Sequence, residues 1–101
     1  MIRVYAAKRG GKYRLFVSGH AAEGNMRDAI CAGVSALAGT LLDFAAATPE
    51  CHHLRYTEKK GEVFLSCRGG LGKGWDLTMH GLCLIAEQYP ESVRIESNIC
   101  S

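Results

Sequence analysis

The sequence predicts an α+β fold of two layers, a mainly antiparallel sheet with two helices on one face, in the order ββαββαβ. Three observations carry that reading. Four short stretches alternate apolar and polar residues and fall into two pairs around glycine-containing turns. Two longer stretches repeat apolar residues at three- and four-residue spacing. The chain has 101 residues, 48% of them apolar and 22% charged, which suits one globular domain over residues 1–101.

Residues 2–7 and 12–18 alternate around Lys8-Arg9-Gly10-Gly11, where the glycine pair supplies the positive φ that a hairpin turn needs. A loop, Gly19-His20-Ala21-Ala22-Glu23-Gly24, follows. Asn25 is the expected helix N-cap, because its side-chain oxygen can accept an unpaired backbone N–H. The first helix is expected over 26–46, with Ile30, Val34, Leu37, Leu41 and Phe44 as its buried stripe and Thr48-Pro49 as its stop. Small residues beside that stripe, Gly33 and Gly39 among them, permit close backbone approach. A second hairpin reads as 54–58 and 62–67 around Lys59-Lys60-Gly61. The glycine-rich run 68–74 reads as a connector. The second helix is expected over 76–89, with Leu77, Leu82, Ile85 and Ala86 inward and Pro90 beyond its end. A closing strand is expected at 93–95.

The net charge of +2 is too small to argue for nucleic acid, and Lys and Arg are scattered along the sequence, so no direct nucleic-acid partner is expected. The N-terminal residues lack the apolar core of a signal peptide. The apolar run 29–47 is interrupted by Asp43 and rich in Ala and Gly, which argues against a membrane span. A cytoplasmic location is the expectation, with the five cysteines mostly reduced.

The chemistry-bearing segment joins Ser18-Gly19-His20 to Asp28-Ala29-Ile30-Cys31-Ala32-Gly33-Val34-Ser35. His20 leaves a strand and Cys31 lies early in a helix, so a loop folding back can bring ring and thiol together. Cysteine attacks as a thiolate, and an imidazole and a helix N-terminus both favour that form. Asp28, three residues before Cys31, projects from the same helix face and could steer His20 or hold a substrate group. The plainer alternatives are a small core cysteine, a loop histidine and a first-turn acid facing the helix dipole.

Gly19-His20-Ala21, the run Asp28-x-x-Cys31-Ala32-x-Val34-Ser35-Ala36-Leu37, and Gly81-Leu82-x-x-Ile85-Ala86-x-x-Tyr89-Pro90-x-x-Val93 together resemble the ribosomal-processing cysteine protease family, Prp (the YsxB-like proteins). The resemblance runs nearly end to end. It implies removal of a short N-terminal extension from a large-subunit ribosomal protein during ribosome maturation, by a homodimer without cofactor. It implies Cys31 as nucleophile and His20 as general acid/base, with Asp28 and Ser35 as supporting residues. Two features depart from the family pattern: a slightly shorter loop between His20 and Cys31, and more cysteines. A phage-type relative processing another protein would carry the same motif. So the competing classes are that relative and a non-catalytic ribosome- or assembly-associated binding module.

Other signals are weaker. Cys51-His52-His53 with Cys67 lacks the paired spacing of structural zinc, so no metal is expected. Gly69-Gly70-Leu71-Gly72-Lys73-Gly74 lacks the register of a phosphate loop, because Gly74 follows Lys73. His80 and Cys83 fit packing or a dimer contact, and Trp75 fits a helix-start anchor.

Overall fold

Alternation and periodicity translate directly into elements in the computed structural model, which describes residues 1–97 and 99. The strands are β1 (Ile2–Arg9), β2 (Lys12–Gly19), β3 (His52–Lys59), β4 (Glu62–Arg68) and β5 (Val93–Ile95); the helices are α1 (Arg27–Ala47) and α2 (Gly72–Gln88). The chain order is ββαββαβ, as the sequence predicts. The sheet runs β3-β4-β2-β1-β5, with antiparallel pairs throughout except β1 with β5, which is parallel.

Strand parity decides which side chains meet the helices. Ile2, Val4 and Ala6 of β1, Tyr13, Leu15 and Val17 of β2, and Val63, Leu65 and Cys67 of β4 all point to the helix side and are buried. Val34, Ala38, Leu41, Leu42 and Ala45 of α1 and Trp75, Met79 and Leu82 of α2 close the core over them. Trp75 packs against Tyr13 with ring centroids 5.1 Å apart, so the expected anchor sits in the core. α1 is long and apolar enough to cross a membrane by length and composition, yet one of its faces lies on the sheet.

Four expectations need correction. α1 starts at Arg27 behind Met26, with no side-chain cap, so Asn25 does not cap it. Phe44 is 43% exposed, because Leu41, Leu42 and Ala45 occupy the inward positions and the Phe44 ring lies instead over Gly74 of α2. Leu77 is 74% exposed. Its five-residue spacing to Leu82 matches no helical repeat, whereas Met79, Thr78 and Trp75 stand three, four and seven residues before Leu82 and are buried. Finally, part of the glycine-rich connector is helix, since α2 begins at Gly72 rather than Asp76.

Leu65 is fully buried on β4, a strand paired on both sides. Leu65→Ala should destabilise the fold by about 2–5 kcal/mol through lost contacts and a residual cavity. Chemical denaturation should then give a lower midpoint with an unchanged slope.

Candidate active site

The site is built where β2 stops. Gly19 has φ +98, and a Cβ there would run into the Met1 carbonyl, so the strand can end this way only with glycine. The Gly19 N–H donates to the Gly61 carbonyl at 3.0 Å, tying the strand end to the turn between β3 and β4. His20 follows, exposed, with its ring over Gly61: a Cβ on Gly61 would stand 3.1 Å from both Cε1 and Nε2. Ala21 then turns into the core, and its N–H donates to Cys31 Sγ at 3.4 Å. The Ala22 N–H donates to the buried Ser92 Oγ at 3.1 Å. The loop is thus held to α1 on one side and to the segment before β5 on the other.

These ties open a cleft of about 580 Å³ that His20, Asp28, Cys31 and Ser35 all line. Positions 28, 31 and 35 share one helix face by their three- and four-residue spacing, and the cleft receives all three. Cys31 is half-buried against an apolar floor that includes Val17, Val34 and Val63. Across from it, Glu58, Lys59 and Lys60 of the second hairpin form a charged wall. Lys59 is paired with Glu62 at 3.7 Å, and Arg27 with Glu23 at 3.5 Å. Among the described residues Asp28 makes no ion pair.

Two details refine the expected arrangement. Cys31 is the fifth residue of α1, one turn inside, where the field of the helix N-terminus has weakened. The contact made at its sulfur is the Ala21 amide. His20 and Cys31 line the same cleft without a hydrogen bond between them among the described residues; the ring leans on the hairpin turn instead.

Sequence reasoning missed the Ala21 amide, Ser92 and the role of the Lys59-Lys60-Gly61 turn as a wall. A backbone N–H has no signature in residue types. Gly61 did stand out as a turn glycine, and its φ of +78 bears that out, but nothing local links it to His20.

The remaining singled-out residues lie elsewhere. Cys51 and Cys67 are free thiols that share a hydrogen bond. Cys67 is buried on the helix side of β4, and a bulge between His52 and Arg55, with His53 at φ +55, takes His53 out of register with it. Among the described residues no three His, Cys, Asp or Glu side chains converge as metal ligands. His80, Cys83 and Trp75 line a separate groove beside β5. Cys83 is disulfide-bonded, while Cys100 lies outside the described residues.

An open mixed-sheet α+β domain with a thiol and an imidazole lining one cleft is the class of protein that fold and site define. No family model matches the sequence, and no curated protein matches it. Solved structures do. The ribosomal processing protease Prp from S. aureus, with a covalently linked product peptide, superposes with a TM-score of 0.75 at 22% identity, covering 94% of this chain and 97% of that one. The same protease with a substrate peptide gives a TM-score of 0.74 at 21% identity, covering 97% and 100%. SMU.848 from Streptococcus mutans gives 0.69 at 23% identity, covering 94% and 91%. The chain has the Prp fold, so the resemblance read from the sequence motifs is borne out at the level of architecture.

Burial pushes the Cys67 thiol up to about 11, with the neighbouring Cys51 adding to the shift. Burial also raises Cys51, partly offset by the hydrogen bond from Cys67. At pH 7.5 the free thiols should therefore alkylate unevenly, with Cys67 the slowest because burial keeps its thiol protonated. The Cys67 rate should keep rising about tenfold per pH unit toward 11, because only its thiolate reacts. Peptide mapping after brief iodoacetamide treatment reads all three.

Gly61→Ala should move His20, since the new methyl meets the ring and the backbone is left-handed. A destabilisation of about 1 kcal/mol and altered His20 ring NMR shifts, with Cys31 labelling retained, are the expected outcome.

Proposed function

We propose that this protein is a cysteine endopeptidase of the Prp type, with Cys31 as nucleophile and His20 as general acid/base. One observation carries the reading: the single cleft that holds His20, Asp28, Cys31 and Ser35, in a fold shared with proteases crystallised with peptides. In this mechanism a peptide lies between α1 and the second hairpin. The Cys31 thiol gives its proton to His20, and sulfur adds to the scissile carbonyl carbon. Collapse of the adduct breaks the C–N bond as His20 returns the proton to the leaving amine. Water, deprotonated by His20, then releases the acyl group from sulfur.

The Ala21 N–H steadies negative charge on sulfur as attack begins. Backbone N–H groups at the start of α1 are the candidates to receive the oxyanion. Asp28, one turn before Cys31, holds the imidazolium or a cationic group of the peptide. Ser35, one turn after, offers a hydroxyl to the peptide backbone. The loop 19–27 closes over the bound chain.

The substrate proposed by resemblance is the N-terminal extension of a large-subunit ribosomal protein, cut by a cytoplasmic homodimer. The decisive experiment mixes the protein with such a precursor and reads the new N-terminus by mass spectrometry. Cys31→Ser and Cys31→Ala should each abolish cleavage, by at least about a thousandfold, with unchanged thermal melting. Undiminished cleavage by either variant would remove the assignment. A wild-type protein that binds the peptide but never cuts it would instead favour the binding module.

A further inference from the structure

The helices cover one face of the sheet and leave the other bare. Along the sequence the cations look dispersed, but strand alternation collects them. Arg9, Lys12, Arg14, Arg55, Arg68 and Arg94 sit at positions whose pairing puts them on the open face, opposite in parity to the buried residues. Arg3 and Lys59 join them, each paired with a carboxylate on the same face, Glu96 at 3.0 Å and Glu62 at 3.7 Å. Among the described residues the first six make no ion pair. A chain whose net charge is +2 thus gathers most of its 12 Lys and Arg on one side, against Glu62 and Glu96 out of 10 acids.

The arrangement is costly to the fold itself. Arg9 stands directly opposite Lys12, Lys12 opposite Arg68, and Arg3 beside Arg94. Like charges at paired positions destabilise a sheet. Beside these cations runs an aromatic row on three adjacent strands: Phe64 pairs with Phe16, and Phe16 with Tyr5. Tyr5 is 45% and Phe16 36% exposed. The Phe16 and Phe64 rings meet edge-on at 6.3 Å. A cross-strand aromatic pair alone is ordinary sheet stabilisation. With Arg14 and Arg55 one pairing row away, and Arg9, Lys12 and Arg68 in the row beyond, the aromatic row is a stacking platform at the edge of a cationic field.

We propose that this open face binds single-stranded nucleic acid, with bases on Tyr5, Phe16 and Phe64 and phosphates on the flanking Arg14, Arg55 and Arg68. Unpaired bases offer π-faces to such rings and phosphates relieve the like-charge pairs, the combination used by sheet platforms and single-strand grooves. An acidic protein would satisfy the charges and leave the rings unused. A second copy would set two cationic faces against each other. The site lies on the opposite side of the sheet from the helices and needs no cleavage at Cys31, so it stands or falls separately from the protease reading.

The test is fluorescence anisotropy with a labelled 12-nucleotide oligouridine, the same length of duplex, and labelled polyglutamate. The single strand should bind the full chain best, with a slope of log affinity against log salt of about −2 for the three phosphates neutralised. Phe16→Ala with Phe64→Ala should weaken it about tenfold or more. Arg14→Glu with Arg55→Glu should weaken it further and flatten the slope. Thermal melting and Cys31 alkylation report folding of each variant, and the surface arginine pair keeps the test open if the phenylalanine pair unfolds. Any of three results would overturn the proposal: no oligonucleotide binding at 50 mM salt; equal binding of single strand, duplex and polyglutamate without dependence on the rings; or a dimer, measured by light scattering, that the phenylalanine changes dissociate.

Discussion

The hydrogen bond from the Gly19 amide to the Gly61 carbonyl, 3.0 Å long, is the tie on which the cleft depends. It joins the end of an inner strand to a hairpin turn far along the chain. Gly19 leaves the strand with left-handed backbone and no space for a Cβ, so the next three residues have their course set. His20 lands on the hairpin turn, Ala21 on Cys31 and Ala22 on Ser92. Three separate parts of the sequence thereby converge within four consecutive residues, and the site is rigid at its root while its outer loop stays exposed.

That rigidity is supported from beneath. Val17 and Val63, paired across β2 and β4, line the cleft floor, and Val34 of α1 meets them. A half-buried thiol set on an apolar floor with a backbone donor aimed at it has few rotamers to choose from. The histidine has more freedom, being exposed and held only by contact with a turn. Nucleophile fixed and acid/base adjustable is a division suited to chemistry in which one ring moves a proton in two directions.

The two faces of the sheet carry different assignments. One is given wholly to the core, down to full burial of Val4, Leu15 and Leu65. The other accumulates aromatic rings and cations, several of the cations at paired positions that resist them. Both patterns come from the same strands, read at odd and even positions. A protein of this size can thus present a cleft at the sheet's end and a broad charged surface on its back, with the Lys59–Glu62 pair at the rim they share.

Much of the architecture was legible in the residues. Period-two alternation in the strands and the Gly10-Gly11 and Lys60-Gly61 turns set the hairpins, and the 28–31–35 spacing set one helix face. These are local consequences of backbone geometry. The inward choice between Leu77 and Met79, or Phe44 and Leu42, was not local: several stripes fit a helix rich in apolar residues, and only packing against a particular sheet selects one. The tie from Ala21 to Cys31, the placement of His20 over Gly61, and the gathering of distant arginines were decided by tertiary structure alone. They depend on backbone amides and strand registry, neither of which residue identity encodes. Sequence by itself determined which chemical groups this protein has and the elements that carry them; folding decided which of those groups meet, because meeting requires contacts between residues tens of positions apart.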